Sequence, residues 1–345
     1  MPAAPAHCES ELRQLPLVTL YLTERCNSRC ISCDYWRHGR SDLDRAAVAR
    51  LLPGLRELGT RVALISGGEP LLNRQWSEIA ALLRDAGLRL WLLTSGLALA
   101  KHATRVAQLF AAVTVSLDGT DAPTYAAIRG LDAFDRVCEG IRASVAAGAA
   151  VGIRVTVQRR NYAQLPRFVA LARELGVRQL SFVAIDVASA HAFGRSAGAG
   201  AGLALQSTDL PQFAAQLDEL EQAHAADFRS GLITDSPRKL RRMQQYFAAL
   251  CGQGPFPPVR CNVFEYSAVI DALGGVSPCF FIPGNTAPGS CAQLPQALNS
   301  EPMRALRQAI RSGQRPECER CVCSLWREPQ ERAAEDFLIR RYADA

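Results

Sequence analysis

The 345-residue chain has no run of five or more basic residues, and its net charge, 39 Lys and Arg against 33 Asp and Glu, is a mild +6. Neither nucleic acid nor a membrane surface is therefore expected as a partner. A membrane-spanning run is lacking too. The longest uncharged stretch, Ala272 to Ser300, is interrupted by Pro278, Pro283, Pro288 and Pro295 and reads as loop. The first seven residues show no basic region followed by an apolar one, and Glu9 and Glu11 come too early for a secretory signal, so a cytoplasmic location is expected. There is no internal repeat. Histidine is scarce, and His102, His191 and His224 stand apart from one another, which suits solvated or capping roles. With 48% hydrophobic and 21% charged residues the chain has the makings of an ordinary core, as one large domain with an appendage or as two.

Cysteine, by contrast, is plentiful: twelve residues, three of them at 26, 30 and 33 and three more at 318, 321 and 323. In a large chain without a secretory signal, such clusters point to metal or catalytic roles rather than disulfides.

Short apolar runs alternate with longer helical stretches. Strands are expected at 17–22, 62–65, 88–94, 113–117, 151–157 and 179–185. Helices are expected between them, the first over 42–58 with Ser41 as N-cap. Such alternation calls for a parallel sheet with right-handed crossovers, and strands apolar nearly throughout suggest that both faces are covered. A doubly wound sheet and a partial barrel fit equally well. Residues 189–202 are rich in Gly, Ala and Ser and read as a flexible connection or lid. Two helices follow, at about 210–228 and 236–250, then a Gly/Pro linker at 252–258. Beyond it come a hairpin around Gly274 and Gly275, a short helix at 302–311 and a charged helix at 328–341.

Cys26-Asn-Ser-Arg-Cys30-Ile-Ser-Cys33 lies on the loop after the first expected strand. A loop can wrap a compact cluster. Three thiolates on a cubane of four irons leave one iron open to an exogenous group. The other reading of this spacing is a zinc site completed by a distant His or Cys.

This CxxxCxxC triad resembles that of the radical S-adenosylmethionine (SAM) superfamily. The likeness continues with Gly67-Gly-Glu-Pro70 after the second strand, Thr94-Ser-Gly96 after the third, Ser116-Leu-Asp-Gly119 after the fourth, and Arg129-Gly130. Ser32 stands where the family usually has an aromatic residue. The resemblance covers about residues 17–186 and implies a partial (β/α)6 TIM-like barrel, with SAM chelating the open iron through its amino and carboxylate groups. Gly67 and Gly68 would let the backbone approach closely, Glu69 would accept from the SAM amino group, and Pro70 would fix the turn. Ser95 falls among the same contacts. Ser116 would hydrogen-bond ribose or carboxylate, Arg129 would pair the carboxylate, and Asp118 either shapes its turn or touches ligand.

Cys261 and Cys279, with Gly274 between them, and the CxxC of Cys318 and Cys321 resemble the Twitch form of the SPASM domain, which carries one auxiliary [4Fe–4S] cluster. Cys323 is an alternative to Cys321 as ligand, and a zinc knuckle is the competing reading of the spacing. The expected organisation is an extension at 1–16, a barrel core at 17–188, a Gly/Ala-rich linker with helices at 189–258, and a small α+β iron–sulfur extension with a terminal helix at 259–345.

Among the remaining cysteines Cys138 reads as a buried small hydrophobe, Cys8 has no assigned role, and Cys251 and Cys291 are candidate hydrogen-atom donors. Tyr35 and Trp36 read as packing for the cluster loop. Asp186 and Asp235 are candidates for an acid–base role at the barrel mouth. The resemblance implies an enzyme that cleaves SAM reductively to a 5′-deoxyadenosyl radical and abstracts a hydrogen atom. An external donor such as flavodoxin or ferredoxin would supply the electron. The auxiliary cluster could accept one in a net two-electron oxidation, or serve structure alone. About 16 residues before the first strand are too few for a leader-binding domain, which favours a small substrate such as a sugar, cyclitol or nucleoside intermediate of natural-product biosynthesis. Maturation of a ribosomally made peptide is the alternative, and a non-catalytic metal-binding protein a third.

Overall fold

A computed structural model describes residues 11–189, 191–195, 200 and 202–333. Six parallel strands follow one another through space in chain order: β1 (Leu17–Thr23), β2 (Val62–Gly67), β3 (Arg89–Thr94), β4 (Ala112–Ser116), β5 (Val151–Val157) and β6 (Gln179–Ala184). This order settles the choice that alternation left open. When each right-handed crossover advances to the next neighbour in the same direction, every connecting helix lands on the same face. The helices Arg45–Glu57, Trp76–Asp85, Leu99–Leu109, Phe134–Ala146 and Leu165–Glu174 accordingly bury Leu51, Ile79, Val106, Ile141 and Phe168 in one core with Val18, Leu20, Ile65, Leu92, Val115, Val155 and Phe182 of the strands. The result is the partial barrel, not the doubly wound sheet.

The opposite face is not sealed. Thr19, Ser66, Trp91, Ser116, Arg154, Thr156 and Ser181, which alternate with those core residues, are half-exposed along the inside of the sheet. The expectation that both faces are covered is corrected here: one face packs on helices and the other lines a lumen.

The C-terminal hairpin is β7 (Ser267–Ile270) and β8 (Val276–Ser277), antiparallel as expected. Its first strand, however, also pairs in parallel with β1, Leu17 opposite Ser267 and Leu20 opposite Ile270, so the extension prolongs the barrel sheet to eight strands. At the other edge, Leu180 of β6 donates its N–H to Leu232 O and accepts from Thr234 N–H, and Phe182 N–H is taken by Asp235 (2.5 Å). These contacts cover an edge that would otherwise be open. Helices Leu210–Ala223 and Pro237–Leu250 pack beside that edge.

Two local differences from expectation have simple causes. The first long helix starts at Arg45, because the Asp44 carboxylate caps Ala47 N–H; Ser41 is not the cap. A helix at Ala122–Arg129, unforeseen, is opened by Asp121 capping Thr124 N–H and by Pro123, and closed by Gly130 at φ +71°. Of the terminal helix, Pro329–Ala333 is described and the rest lies outside the described residues, as do Cys8 and much of the 189–202 connection. Among the described residues no helix is long and apolar enough to cross a membrane.

Candidate active site

The loop carrying Cys26, Cys30 and Cys33 leaves the C-terminal end of β1 and is held by backbone on two sides. Arg29 and Ile31 N–H groups bond the carbonyls of Arg129 and Ile128, the unsatisfied end of the helix 122–129 (2.9 and 3.0 Å). Opposite, Gly68 N–H bonds Thr23 O (2.7 Å) and Glu69 N–H bonds Arg25 O (2.8 Å). The contact is tight enough to dictate residue type. A Cβ on Gly67, whose φ is +117°, would lie 2.4 Å from Thr23 O, and one on Gly68 2.3 Å from Arg25 O. Gly67 therefore admits the end of β1 and Gly68 the start of the cysteine loop.

Glu69 is fully buried. Its carboxylate accepts from Ser95 N–H (2.7 Å), Ser95 Oγ (2.6 Å), Thr94 Oγ1 (2.9 and 3.0 Å) and Leu71 N–H (3.2 Å), tying the end of β2 to the end of β3. Pro70 starts the single turn that follows, and Ser95 Oγ also stands 3.3 Å from Asn27 Oδ1 of the cysteine loop. Ser116, at the end of β4, accepts from Arg129 Nη2 through its carbonyl (2.7 Å). Arg129 Nη1 lies 3.4 Å from Cys30 Sγ and 3.4 Å from Asp118 Oδ2, and Arg129 Nε is buried without a hydrogen-bond partner. Asp118, itself buried, uses its other oxygen to accept from Thr156 N–H (2.7 Å). It neither shapes its own turn nor faces open space: it anchors the arginine.

Burial pushes the Cys33 thiol up to about 12 and Cys26 up to about 11. The Glu69 carboxylate adds to the rise at Cys26 and the Arg129 guanidinium opposes it. Cys30 is buried, whereas Cys26 and Cys33 are half-buried. A cleft of about 570 Å³ opens beside the loop, lined by Cys26, Asn27, Arg29, Trp36, Arg37 and Arg40.

The second cysteine set forms beside it. Burial raises the thiols of Cys261, Cys279 (to about 12), Cys318 (to about 11) and Cys321, and these groups are close enough to act on one another: Cys261 acts on Cys279, Cys318 and Cys321, and Cys323 acts on Cys261 and Cys321. Cys321 is half-buried among them, while Cys323 is exposed. Among the described residues no three Cys, His, Asp or Glu side chains converge closely enough to hold a single metal ion. A polynuclear iron–sulfur cluster takes each thiolate on a separate iron, and the all-cysteine donors of each set suit one.

An aromatic partition stands between the two sets. The Tyr21 ring, on the inner face of β1, lies 6.5 Å from Tyr35 and 6.3 Å from Phe280, and both Cys33 and Cys279 act on its phenol. Phe280 meets Phe193 at 4.8 Å. Phe193 holds a left-handed φ of +68°, and its carbonyl accepts from Asp34 N–H of the cysteine loop (2.8 Å). Sequence reasoning gave Tyr21 and Phe193 no part in the site; Tyr21 is visible only as a large polar ring in the alternation of β1.

The proposed acid–base and thiol candidates are engaged by the chain itself. Asp235 is fully buried at the β6 edge, held by Phe182 N–H and Lys239 Nζ (2.6 Å), and does not reach the mouth. Asp186 is locked in a buried pair with Arg195 (2.8 Å) and accepts from Ser189 N–H. Cys291 is buried in the main core, its sulfur against Gly274, and Cys251 Sγ bonds Leu205 O (3.5 Å) at the end of helix 237–250. Cys138 is buried, as expected.

Residues 20–185 match the Radical SAM superfamily, and residues 261–322 match SPASM, an iron–sulfur cluster-binding domain; the second span takes in Cys321 and stops before Cys323. The AdoMet-dependent heme synthase of Methanosarcina barkeri is 33% identical over 172 residues, 46% of this chain and 48% of that one. The chain spans about half the length of the curated relatives it matches. Streptococcus suis SuiB bound to its precursor peptide SuiA superposes with a TM-score of 0.63 at 14% identity, covering 86% of this chain and 67% of that one. The structure of anSMEcpe with bound AdoMet gives 0.64 at 17% identity, covering 90% and 85%. At these identities the two structures show a shared fold.

Proposed function

Because the chain joins a radical SAM domain to a SPASM domain, we propose that it is a radical SAM enzyme acting on a hydroxylated small molecule held in the barrel lumen. Cys26, Cys30 and Cys33 would hold the first [4Fe–4S] cluster; Cys261, Cys279, Cys318 and Cys321 would hold the auxiliary one. When bound, the first cluster and SAM supply a 5′-deoxyadenosyl radical that removes a hydrogen atom from an unactivated C–H bond. The residues around that chemistry are mostly preorganised. Gly67 and Gly68 seat the end of β1 and the start of the cysteine loop, Glu69 fixes Thr94 and Ser95, and Ser95 and Ser116 stand at the strand ends where such sheets receive ligands. Tyr21, Tyr35 and Phe280 place apolar ring surface between the cysteine sets, of the kind that shields a radical.

The observation that carries the substrate reading is the inner face. Thr19, Ser66, Ser116, Thr156 and Ser181 put half-exposed hydroxyls along the lumen among equally half-exposed Leu64, Trp91, Leu93, Arg154 and Val183, a lining suited to a substrate with both hydrogen-bonding groups and an apolar frame. Heme synthase, a curated relative, is named for a small-molecule product. A net two-electron oxidation, with the auxiliary cluster as electron acceptor and a flavodoxin- or ferredoxin-type donor for the first cluster, fits a cluster closed by four cysteines. The second reading, a peptide substrate, is favoured by the fold shared with SuiB, which was captured with a precursor peptide.

The test is anaerobic reconstitution followed by SAM and dithionite. About eight irons per chain and formation of 5′-deoxyadenosine are expected. Bound zinc without cleavage would leave a metal-binding protein. Cys30→Ala should abolish cleavage, and Cys318→Ala should leave uncoupled cleavage without product; full turnover in the latter would remove the auxiliary cluster from the reaction. Screening hydroxylated small molecules against short peptides for substrate-dependent deoxyadenosine then separates the two readings.

A further inference from the structure

Arg129 was assigned by sequence to the carboxylate of SAM, yet its guanidinium is already engaged by the chain. Nη2 donates to Ser116 O (2.7 Å), while Nη1 stands between Asp118 Oδ2 and Cys30 Sγ, 3.4 Å from each. The side chains of Arg129 and Asp118 are 11% and 4% exposed, so the charges meet in a region from which water is almost excluded. Their positions are fixed by backbone. The Arg129 carbonyl receives Arg29 N–H of the cysteine loop, Gly130 admits that loop where a Cβ would lie 2.2 Å from Arg29 O, and Asp118 is held by Thr156 N–H. Cys30, the middle cysteine of the triad, is buried against this arginine.

We propose that Arg129 donates a hydrogen bond to the Cys30 sulfur and thereby raises the reduction potential of the cluster that the loop holds, with Asp118 as the residue that positions the guanidinium and moderates its charge. This rests on the reading of Cys26, Cys30 and Cys33 as cluster ligands. The physics is direct. Reduction adds an electron to the cluster, and a buried cation on a ligating sulfur stabilises the more negative state; hydrogen bonds to the sulfurs and local charge are the protein's levers on such potentials. A buried carboxylate on the far side of the same cation acts in the opposite sense. Because the contacts that hold the guanidinium come from the chain itself, the effect is present before SAM arrives. That separates it from a role in binding the SAM carboxylate.

The experiment is an EPR-monitored redox titration of the full-length, reconstituted protein without SAM, with the auxiliary cluster as internal reference. The signal that changes on adding SAM identifies the amino-terminal cluster. In Arg129→Met the reduction equilibrium of that cluster should fall at least tenfold, a midpoint about 59 mV more negative for one electron. Arg129→Lys, which keeps the charge without the fork, should fall less. Asp118→Asn should shift the midpoint the other way, a sign that a purely structural role does not produce. The auxiliary midpoint should stay in place in all three. An unchanged midpoint in Arg129→Met, or an Asp118→Asn shift in the same direction as Arg129→Met, overturns the inference. If Arg129→Met fails to hold the cluster, the signs in Arg129→Lys and Asp118→Asn decide it. A wild-type protein that assembles no cluster on the triad removes the underlying reading instead.

Discussion

Glu69 illustrates how far a motif can be read and where reading stops. Its place after β2 is plain from sequence, but its bonds to Thr94 and Ser95, residues of another strand, are not. Those bonds predict a structural cost that does not depend on any cofactor. Glu69→Gln should destabilise the cluster-free protein by about 2 kcal/mol, the scale for hydrogen bonds to a charged group, in urea denaturation. An unchanged midpoint would show that the carboxylate is not the latch. The cysteines were legible for a similar reason: their spacing is local. Asp118 was not, because its meaning lies in Arg129 and Thr156, and only the fold brings those together. Asp227 offers a test by titration. Burial alone would raise its pKa, but hydrogen bonds from His224 (2.9 Å) and Arg173 (2.7 Å) outweigh this and lower it. The stability it contributes is therefore complete above the ordinary carboxylate pKa and lost as pH falls through the depressed one. Asp227→Asn should flatten the acid limb of the stability curve measured between pH 2 and 5, below the range in which its partner His224 titrates.

At the scale of elements, most strands were visible as apolar runs and most helices as periodic ones, whereas ends and faces were less so. The first long helix is a case in which sequence pointed to Ser41 and the cap is Asp44, three residues on. Asp44→Ala should cost about 1 kcal/mol, the usual value for losing an N-cap, and Ser41→Ala close to nothing; the reverse ranking in thermal melts would restore Ser41 as cap. The lumen face could have been recognised in Val151-Gly-Ile-Arg-Val-Thr-Val157, where Arg154 and Thr156 break an apolar run at a period of two. The helix 122–129 was signalled by Asp121, Pro123 and Gly130 at its two ends, although its eight residues carry too short an apolar stripe to stand out. Its function is carried by its last turn, which receives the cysteine loop. Gly130→Ala should therefore reduce iron incorporation after reconstitution while circular dichroism stays close to wild type; full iron content would show that the loop accommodates the methyl group.

For the whole molecule, the feature least accessible from sequence is the parallel pairing of β1 with β7, two segments some 250 residues apart joined by four register pairs. Local pattern specifies that each is a strand but not which neighbour it takes. One sheet through both halves predicts a single cooperative unfolding transition, with tryptophan fluorescence and far-ultraviolet circular dichroism tracing the same curve. A chain shortened to residue 258 should lose the cover of its β1 edge and associate in light scattering; a monomeric product would contradict that role. The same ladder acts as a ruler. The cysteine loop starts just past the end of β1, and Cys279 follows β8, which is paired to β7. The gap between the two cysteine sets is thus set by amide-to-carbonyl registry, not by the length of the intervening chain. Insertions between residues 189 and 258 would leave that gap untouched, whereas a slip of two residues along β1 would move one cysteine set past the other by about 7 Å.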